Sequence, residues 1–303
     1  MQNFSPSNDI DQTSLRHASD AGEPVRLLRV AAWQKLPWLM HGFSTRTGGV
    51  SRAYAAPDAP SEMNLGFTAE DSAESVRENR RRLVEAVSGS AATPLRTVRQ
   101  IHSCHSEVVP LFAAEGYGAD TAAWDPPQAD GILTRQAGIL LGILTADCVP
   151  VLVADPRNRA VAAFHAGWRG TVQRVVELGI AHMAAEFGSD PDTLLAAIGP
   201  AIGPCCYTVG DEVRGRFAAE FPYADALFAE EISASASAEL RLDLAEANRR
   251  QLIAAGLENA RISRAGACTS CHPGDYYSHR ASSGHAGRMM SAIGVRKENH
   301  PAN

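Results

Sequence analysis

The chain has 303 residues, 45% of them hydrophobic, enough to bury an ordinary core without disulfide staples. Its formal net charge of −6 carries no basic excess of the kind that holds phosphate backbones, so nucleic acid is not an expected partner. Positive charge is almost all arginine: the only lysines, Lys35 and Lys297, lie near the two ends, which argues against a Schiff-base or Walker-type lysine.

Residues 1–24 are polar and lack the apolar stretch and small-residue cleavage site of a secretory signal, so they read as a disordered tail. One domain is expected from 25 to 298, with a short C-terminal tail at 299–303, because no repeat or low-complexity linker divides the chain. Taken in order, strands are predicted at 25–32 and 39–44, then a helix over 72–87 with Val76, Leu83, Val84 and Val87 on one face. Strands follow at 96–102, 139–144, 149–154 and 160–165, and a second amphipathic helix opens after Gly170. The strand 194–198 and helices at 211–221 and 243–255, the latter with Asp243 as N-cap, complete the series. Strands grouped in runs, with helices between only some of them, predict an α+β (mixed α/β) single domain around a central mixed sheet flanked by helices. The most apolar stretch, 138–154, is interrupted by Asp147 and Pro150 and falls short of a membrane span, so a cytoplasmic protein with no membrane partner is expected.

The six cysteines are Cys104, Cys148, Cys205, Cys206, Cys268 and Cys271. Without a signal peptide, thiols in a chain this long are expected to stay reduced, available for metals or chemistry. Cys148 falls between two strands, where a side chain can face a cleft. His165 ends a strand just before a helix, and Arg169 adds a fixed charge beside that helix start. His102 closes the strand 96–102. A histidine, a cysteine and a histidine at strand ends could hold zinc with an open fourth position; satisfied core histidines and a buried cysteine are the alternative. The spacings, 46 residues from His102 to Cys148 and 17 more to His165, match no local finger pattern. The string His41-Gly-Phe-Ser44-Thr-Arg46-Thr-Gly-Gly-Val-Ser51 could cradle a phosphate or carboxylate through Arg46 and backbone amides, or be a plain glycine-rich hairpin.

Other patterns point away from familiar chemistries. Cys268-Thr-Ser-Cys271-His272 matches c-type haem attachment by letter, but that attachment follows export; packing or an adventitious thiol pair is the expected role. Pro204-Cys205-Cys206 lacks the second cysteine that the zinc deaminases place three residues on. A laccase-type copper oxidase needs His-x-His pairs and a His-Cys-His string, and the ten histidines form neither, so copper is disfavoured.

Eight strings in order, HGFSTRTGGVS at 41–51, NLG at 64–66, QIH at 100–102, ADGILT at 129–134, TADCVPV at 145–151, AAFHAGWRGT at 162–171, IGPAIGPCCYTVGDEV at 198–213 and CTSCHPGDYYSHR at 268–280, with GR at 287–288, carry a resemblance. The chain resembles the family variously called YfiH, peptidoglycan editing factor, or laccase-domain-containing purine nucleoside phosphorylase, over nearly its whole length after the polar tail. The resemblance implies a fold shared with a cysteine-based toxin deamidase and zinc on His102, Cys148 and His165. It implies phosphorolysis of adenosine, inosine or methylthioadenosine, and deamination of adenosine, with nucleoside and phosphate as partners. Arg46 and Arg169 would then hold phosphate, His102, Cys148, His165 and Arg46 would act in catalysis, and Ser44, Asn64, Tyr207, Arg280 and Arg288 could line the pocket, with packing an equal alternative for the last four. Ser103, Thr208 and His279-Arg280-Ala281 depart from the family pattern, which bears on substrate preference and leaves the three ligands intact. A hydrolase that removes a wrongly incorporated residue from a nucleotide-linked cell-wall precursor is the second expectation, and a zinc-stabilised binding protein the third. A monomer or small homo-oligomer is expected.

Overall fold

The computed structural model describes residues 10–14, 24–110, 125–232 and 238–297. The α-helices among the described residues are α1 (Ala73–Ser88), α2 (Trp168–Val172), α3 (Val175–Phe187), α4 (Asp211–Glu220) and α5 (Leu244–Ala254). Helices α1, α4 and α5 lie within a residue of the predicted spans 72–87, 211–221 and 243–255 at each end. Ser72 caps α1 by accepting from Ser75 N, and Asp243 caps α5 by accepting from Glu246 N, so each side-chain oxygen satisfies an amide that the first turn leaves unpaired.

The single central sheet expected from the strand runs is in fact two six-stranded mixed sheets. One runs in the order Ile10–Ser14, Arg26–Val30, Leu39–Ser44, Met289–Val295, Ile139–Thr145, Leu95–Thr97; the other in the order Ile262–Arg264, Leu195–Ile198, Val149–Asp155, Ala160–Ala166, Gly131–Thr134, Ser106–Val108. A three-stranded sheet of Thr208–Val209, Ala238–Leu242 and Phe228–Ile232 lies apart from them. Five residues of the stretch expected as a tail, Ile10–Ser14, pair antiparallel with Arg26–Val30; 1–9, 15–23 and 298–303 are outside the described residues.

Alternation along the strands explains the doubling. In Ala160–Ala166, Ala160, Ala162 and Phe164 join a core with Val175, Val176, Ile180 and Met183 of α3, while Val161 and Ala163 join a core with Ile139, Leu141 and Ile143 of the other sheet. Successive strand side chains point to opposite faces, so a strand apolar at every position must be covered on both. The first sheet is covered on its outer face by α1, whose Leu83, Val84 and Val87 pack with Leu27, Leu140 and Met290. The result is four layers, helix on sheet on sheet on helix. The predicted helix after Gly170 is broken in two: Arg174 takes φ +63°, and α3 starts at Val175. The strand expected to reach His102 ends at Thr97.

Candidate active site

The strands Val149–Asp155 and Ala160–Ala166 form an antiparallel hairpin in which His165 pairs with Pro150 and Ala166 with Val149. That register brings Cys148 and Gly167 together at the open end of the hairpin. Glycine is needed there: a Cβ on Gly167 would stand 2.9 Å from His102 Cδ2 and 3.1 Å from Cys148 Sγ. The donor atoms of His102, Cys148 and His165 all lie within 4.8 Å of one another, and the two imidazoles meet edge to face at 4.9 Å between centroids. His165 is buried, Cys148 half-buried and His102 exposed, so the trio opens to solvent on the His102 side.

His102 is brought in by a loop rather than a strand. It adopts φ +60°, an uncommon conformation for a residue with a side chain. The loop is fixed at both ends by side chains that imitate backbone. Gln100 donates Nε2 to Leu144 O at 2.7 Å and accepts from Leu144 N at 2.8 Å. Asp130, with 0% exposure, accepts from the amides of Ile101, His102 and Ser103 and from the Ser103 hydroxyl. The same carboxylate lies 2.8 Å from His165 Nδ1. That bond fixes the ring so that Nε2 faces the trio, the arrangement common behind histidine ligands. Asp130 thus ties together two of the three residues and was not among the nominated site residues.

The electrostatics follow from this arrangement. Burial pushes the Asp130 carboxyl up, but hydrogen bonds from His165 and Ser103 overcome it and hold the group down at about 2. Burial would likewise raise the Cys148 thiol, yet the His165 charge and hydrogen bonds from both histidines bring it down to about 6. Burial acts to lower His165, and the Cys148 thiolate with Asp130 raises it to about 9. Near neutral pH the centre is therefore a thiolate beside an imidazolium. The thiolate is the form that attacks or ligates, and a metal entering would displace the His165 proton.

Asp147 builds the wall around Cys148. Its φ of +90° is strained for a non-glycine residue, a kind of strain that collects at functional sites. It is held by Ile202 N on its carbonyl, and by Thr269 Oγ1 at 2.6 Å and Arg280 N at 2.7 Å on its carboxylate. Three distant loops therefore converge beside Cys148. Arg280 stacks over the Tyr207 ring at 5.3 Å, and the Tyr207 hydroxyl is pushed up by burial and by the nearby Cys148 thiolate. Arg169 on α2 packs over Trp168, and it too acts on Tyr207. Among the described residues neither the Arg169 nor the Arg280 guanidinium is paired with a carboxylate, although Arg280 donates Nη1 to Thr208 O at 2.9 Å.

The other nominated residues are differently placed. The Arg46 guanidinium is occupied by Glu62 at 2.6 Å, the carbonyls of Tyr54 and Pro273, and the Tyr277 ring at 4.7 Å. Ser44 is buried with its hydroxyl accepting from Met290 N at 3.0 Å. Asn64, with 0% exposure, bonds Gly66 through both its oxygen and its nitrogen, and also Asp71 and the Arg288 amide. The Arg288 side chain donates to the carbonyls of Ala286 and Gly287. The string 41–51 is thus an internal brace. The short α2 also leaves less helix dipole beside His165 than a continuous helix would supply.

A buried carboxylate that orients an imidazole, against a lowered thiol with one side open to solvent, belongs to the class of enzyme centres that can take a metal or act as a nucleophile. Residues 40–296 match the family model described as multi-copper polyphenol oxidoreductase laccase, and the chain belongs to this family. It is 38% identical over 260 residues to the purine nucleoside phosphorylase YlmD of Geobacillus stearothermophilus, covering 85% of this chain and 90% of that protein. The crystal structure of YlmD from that organism superposes with a TM-score of 0.79 at 33% identity, covering 95% of this chain and 100% of that one. The Bacillus licheniformis protein YfiH superposes with a TM-score of 0.77 at 32% identity, covering 89% and 96%. An adenosine deaminase, RL5, from an unknown prokaryotic organism is 36% identical over 197 residues, covering 64% of this chain and 72% of its own. The chain is thus a member of a family whose named relatives are enzymes of purine nucleosides. Among the described residues no helix is long and apolar enough to cross a membrane.

Proposed function

We propose that this chain cleaves purine nucleosides such as adenosine, inosine and methylthioadenosine with phosphate, and also deaminates adenosine, at the centre of His102, Cys148 and His165. The observation that carries this is the pairing of that centre with two arginines, Arg169 and Arg280, whose guanidinium groups have no carboxylate partner among the described residues, in a chain 38% identical to a purine nucleoside phosphorylase. In phosphorolysis a bond forms from a phosphate oxygen to the anomeric carbon as the bond to the purine nitrogen breaks, and the base leaves as an anion or takes a proton. Arg169 and Arg280 hold the phosphate as a dianion next to Tyr207, where its negative charge meets fixed positive charge. His102, exposed at the mouth, carries a proton to or from the purine. Asp130 keeps the His165 ring in one tautomer while the other ring nitrogen faces the substrate side.

The three donors fit zinc: one thiolate and two imidazoles is a ligand set that leaves a position open, and the Asp130 bond to His165 is the support such a ligand needs. When bound, zinc supplies a Lewis acid at that open position. The fit is poorer for a multi-copper centre, since the two metal-capable groups among the described residues contain only two imidazoles between them.

The test is to incubate zinc-loaded protein with adenosine, with and without phosphate. Adenine with ribose 1-phosphate, and inosine from the deamination branch, are the expected products. Inertness toward every purine nucleoside, with release of an amino acid from a nucleotide-linked muramyl substrate, would replace the reading with cell-wall precursor editing.

A further inference from the structure

Of the five cysteines that the active site leaves unused, all but Cys104 gather in one place. The Sγ atoms of Cys205, Cys206, Cys268 and Cys271 all lie within 4.8 Å of one another, although the first pair is more than sixty residues from the second. Cys271 Sγ is 3.4 Å from Cys205 Sγ and 3.3 Å from Cys206 Sγ, too far for a disulfide and close to the roughly 3.8 Å edge of a tetrahedron of thiolates about zinc. One ion fits between sulfurs so close together, and a two-iron cluster with its bridging sulfides does not.

The backbone is shaped around the sulfurs. Gly203 N donates to Cys268 Sγ at 3.2 Å, the amide-to-sulfur support usual behind a thiolate ligand. A Cβ on Gly203 would stand 3.3 Å from Cys205 Sγ and 3.3 Å from Cys268 Cβ, so the bare glycine lets the two cysteine segments approach. Those segments meet in a bridge between Ala201 and Cys268, with Thr269 N donating to Ala201 O at 3.1 Å. Cys206 N donates to Gly203 O in a tight turn that brings the adjacent cysteines into the cluster.

We infer that Cys205, Cys206, Cys268 and Cys271 form a second metal site, a closed four-thiolate zinc site that fixes the wall of the active centre. Four protein ligands fill the tetrahedron and leave no position for substrate, so the role is structural. Its reach is short and specific. Ile202, three residues before Cys205, and Thr269, beside Cys268, both bond Asp147 next to Cys148, and Tyr207 follows Cys206 directly. An ion here locks the two loops that present Tyr207 and brace Asp147.

The test counts metal in full-length protein purified from zinc-supplemented medium under reducing conditions. Two zinc ions per chain are expected for the unaltered protein and one for Cys148→Ala, which leaves only the four-cysteine site. One is also expected for Cys268→Ser/Cys271→Ser, with a lower melting temperature. Should that double variant fail to fold, cobalt substituted into Cys148→Ala supplies an independent reading. Strong thiolate-to-cobalt charge-transfer absorption with tetrahedral visible bands supports the site, and protection of the four thiols from alkylation until a chelator is added supports it further. Zero zinc in Cys148→Ala, with the four cysteines freely alkylated or recovered as disulfides, would overturn it. Because this count does not depend on turnover, it stands or falls apart from the purine assay.

Discussion

Two regions of this molecule carry clusters of polar side chains, and they use them in opposite ways. Around the Leu39–Ser44 strand, Ser44 accepts from Met290 N, Arg46 donates to Glu62, Asn64 accepts from the Gly66 and Arg288 amides, and His41 accepts from Val30 N at 3.0 Å. At the open end of the Val149–Asp155 and Ala160–Ala166 hairpin, by contrast, His102 is exposed and, among the described residues, neither the Arg169 nor the Arg280 guanidinium is paired with a carboxylate. A polar group already satisfied by its own chain holds the fold together, and one kept in place but left unsatisfied is available to a ligand. Substitutions in the first region should therefore melt the protein, whereas those in the second should stop it working while it stays folded.

The largest effect that would sharpen this contrast is Cys148→Ala: kcat/KM for adenosine phosphorolysis should fall by about 10³-fold or more with the melting temperature little changed. If that variant unfolds instead, the contrast breaks at its centre. Asn64→Ala, on the other side, strands the Gly66 and Arg288 amides in the interior and should cost about 3 kcal/mol in urea unfolding, with kcat retained by the folded fraction. Asp130→Asn sits between the two regions in kind. It keeps one acceptor oxygen for the His102 loop but loses the charge behind His165, so zinc affinity or kcat should drop about 10- to 100-fold, with a shifted pH profile. Arg280→Ala should raise the KM for phosphate by about tenfold with kcat largely kept, while Arg46→Ala should leave that KM alone; a phosphate effect at Arg46 alone would reverse the assignment of the anion pair.

The smallest effect is a pH slope. His41 is neutral in the fold because burial, and then the Arg29 charge, lower its pKa from 6.5 to about 3. The unfolded chain therefore takes up a proton that the folded chain refuses. The contribution of His41 is complete above about pH 6.5 and is lost by about 1.4 kcal/mol per pH unit as the pH falls toward 3. His41→Gln, which keeps an acceptor for Val30 N, should flatten the low-pH side of a stability profile. An unchanged slope would show that other groups control acid unfolding.

Much of this was legible in the sequence, for local reasons. The strands 39–44, 149–154 and 160–165 and the helix cap at Asp243 follow from apolar runs and a side-chain oxygen that acts within a few residues of itself. The two sheets were not legible, because an all-apolar strand shows that both faces are covered without saying whether helix or sheet covers them. Asp130 was in plain view within the string Ala-Asp-Gly-Ile-Leu-Thr, but its partners lie 27 to 35 residues away across a fold that had yet to be known. A buried carboxylate at the head of an apolar strand was the available signal. Ser44 and Asn64 were nominated because they fall in family strings, and such strings mark positions that matter without separating packing from chemistry. The four cysteines, read as two unrelated motifs, needed the bridge between Ala201 and Cys268 to become one cluster.

The strands beneath the centre carry a consequence for how such an enzyme can diversify. Every residue of Val149–Asp155 and Ala160–Ala166 is buried, one face against helices and the other against a second sheet. No position on this platform can be exchanged to suit a new substrate without disturbing one packed interior or the other. Change is tolerated more readily in the loops that carry Ser103, Tyr207 and Arg280, none of which is fully buried. The architecture separates an inheritance that cannot drift from a margin that can.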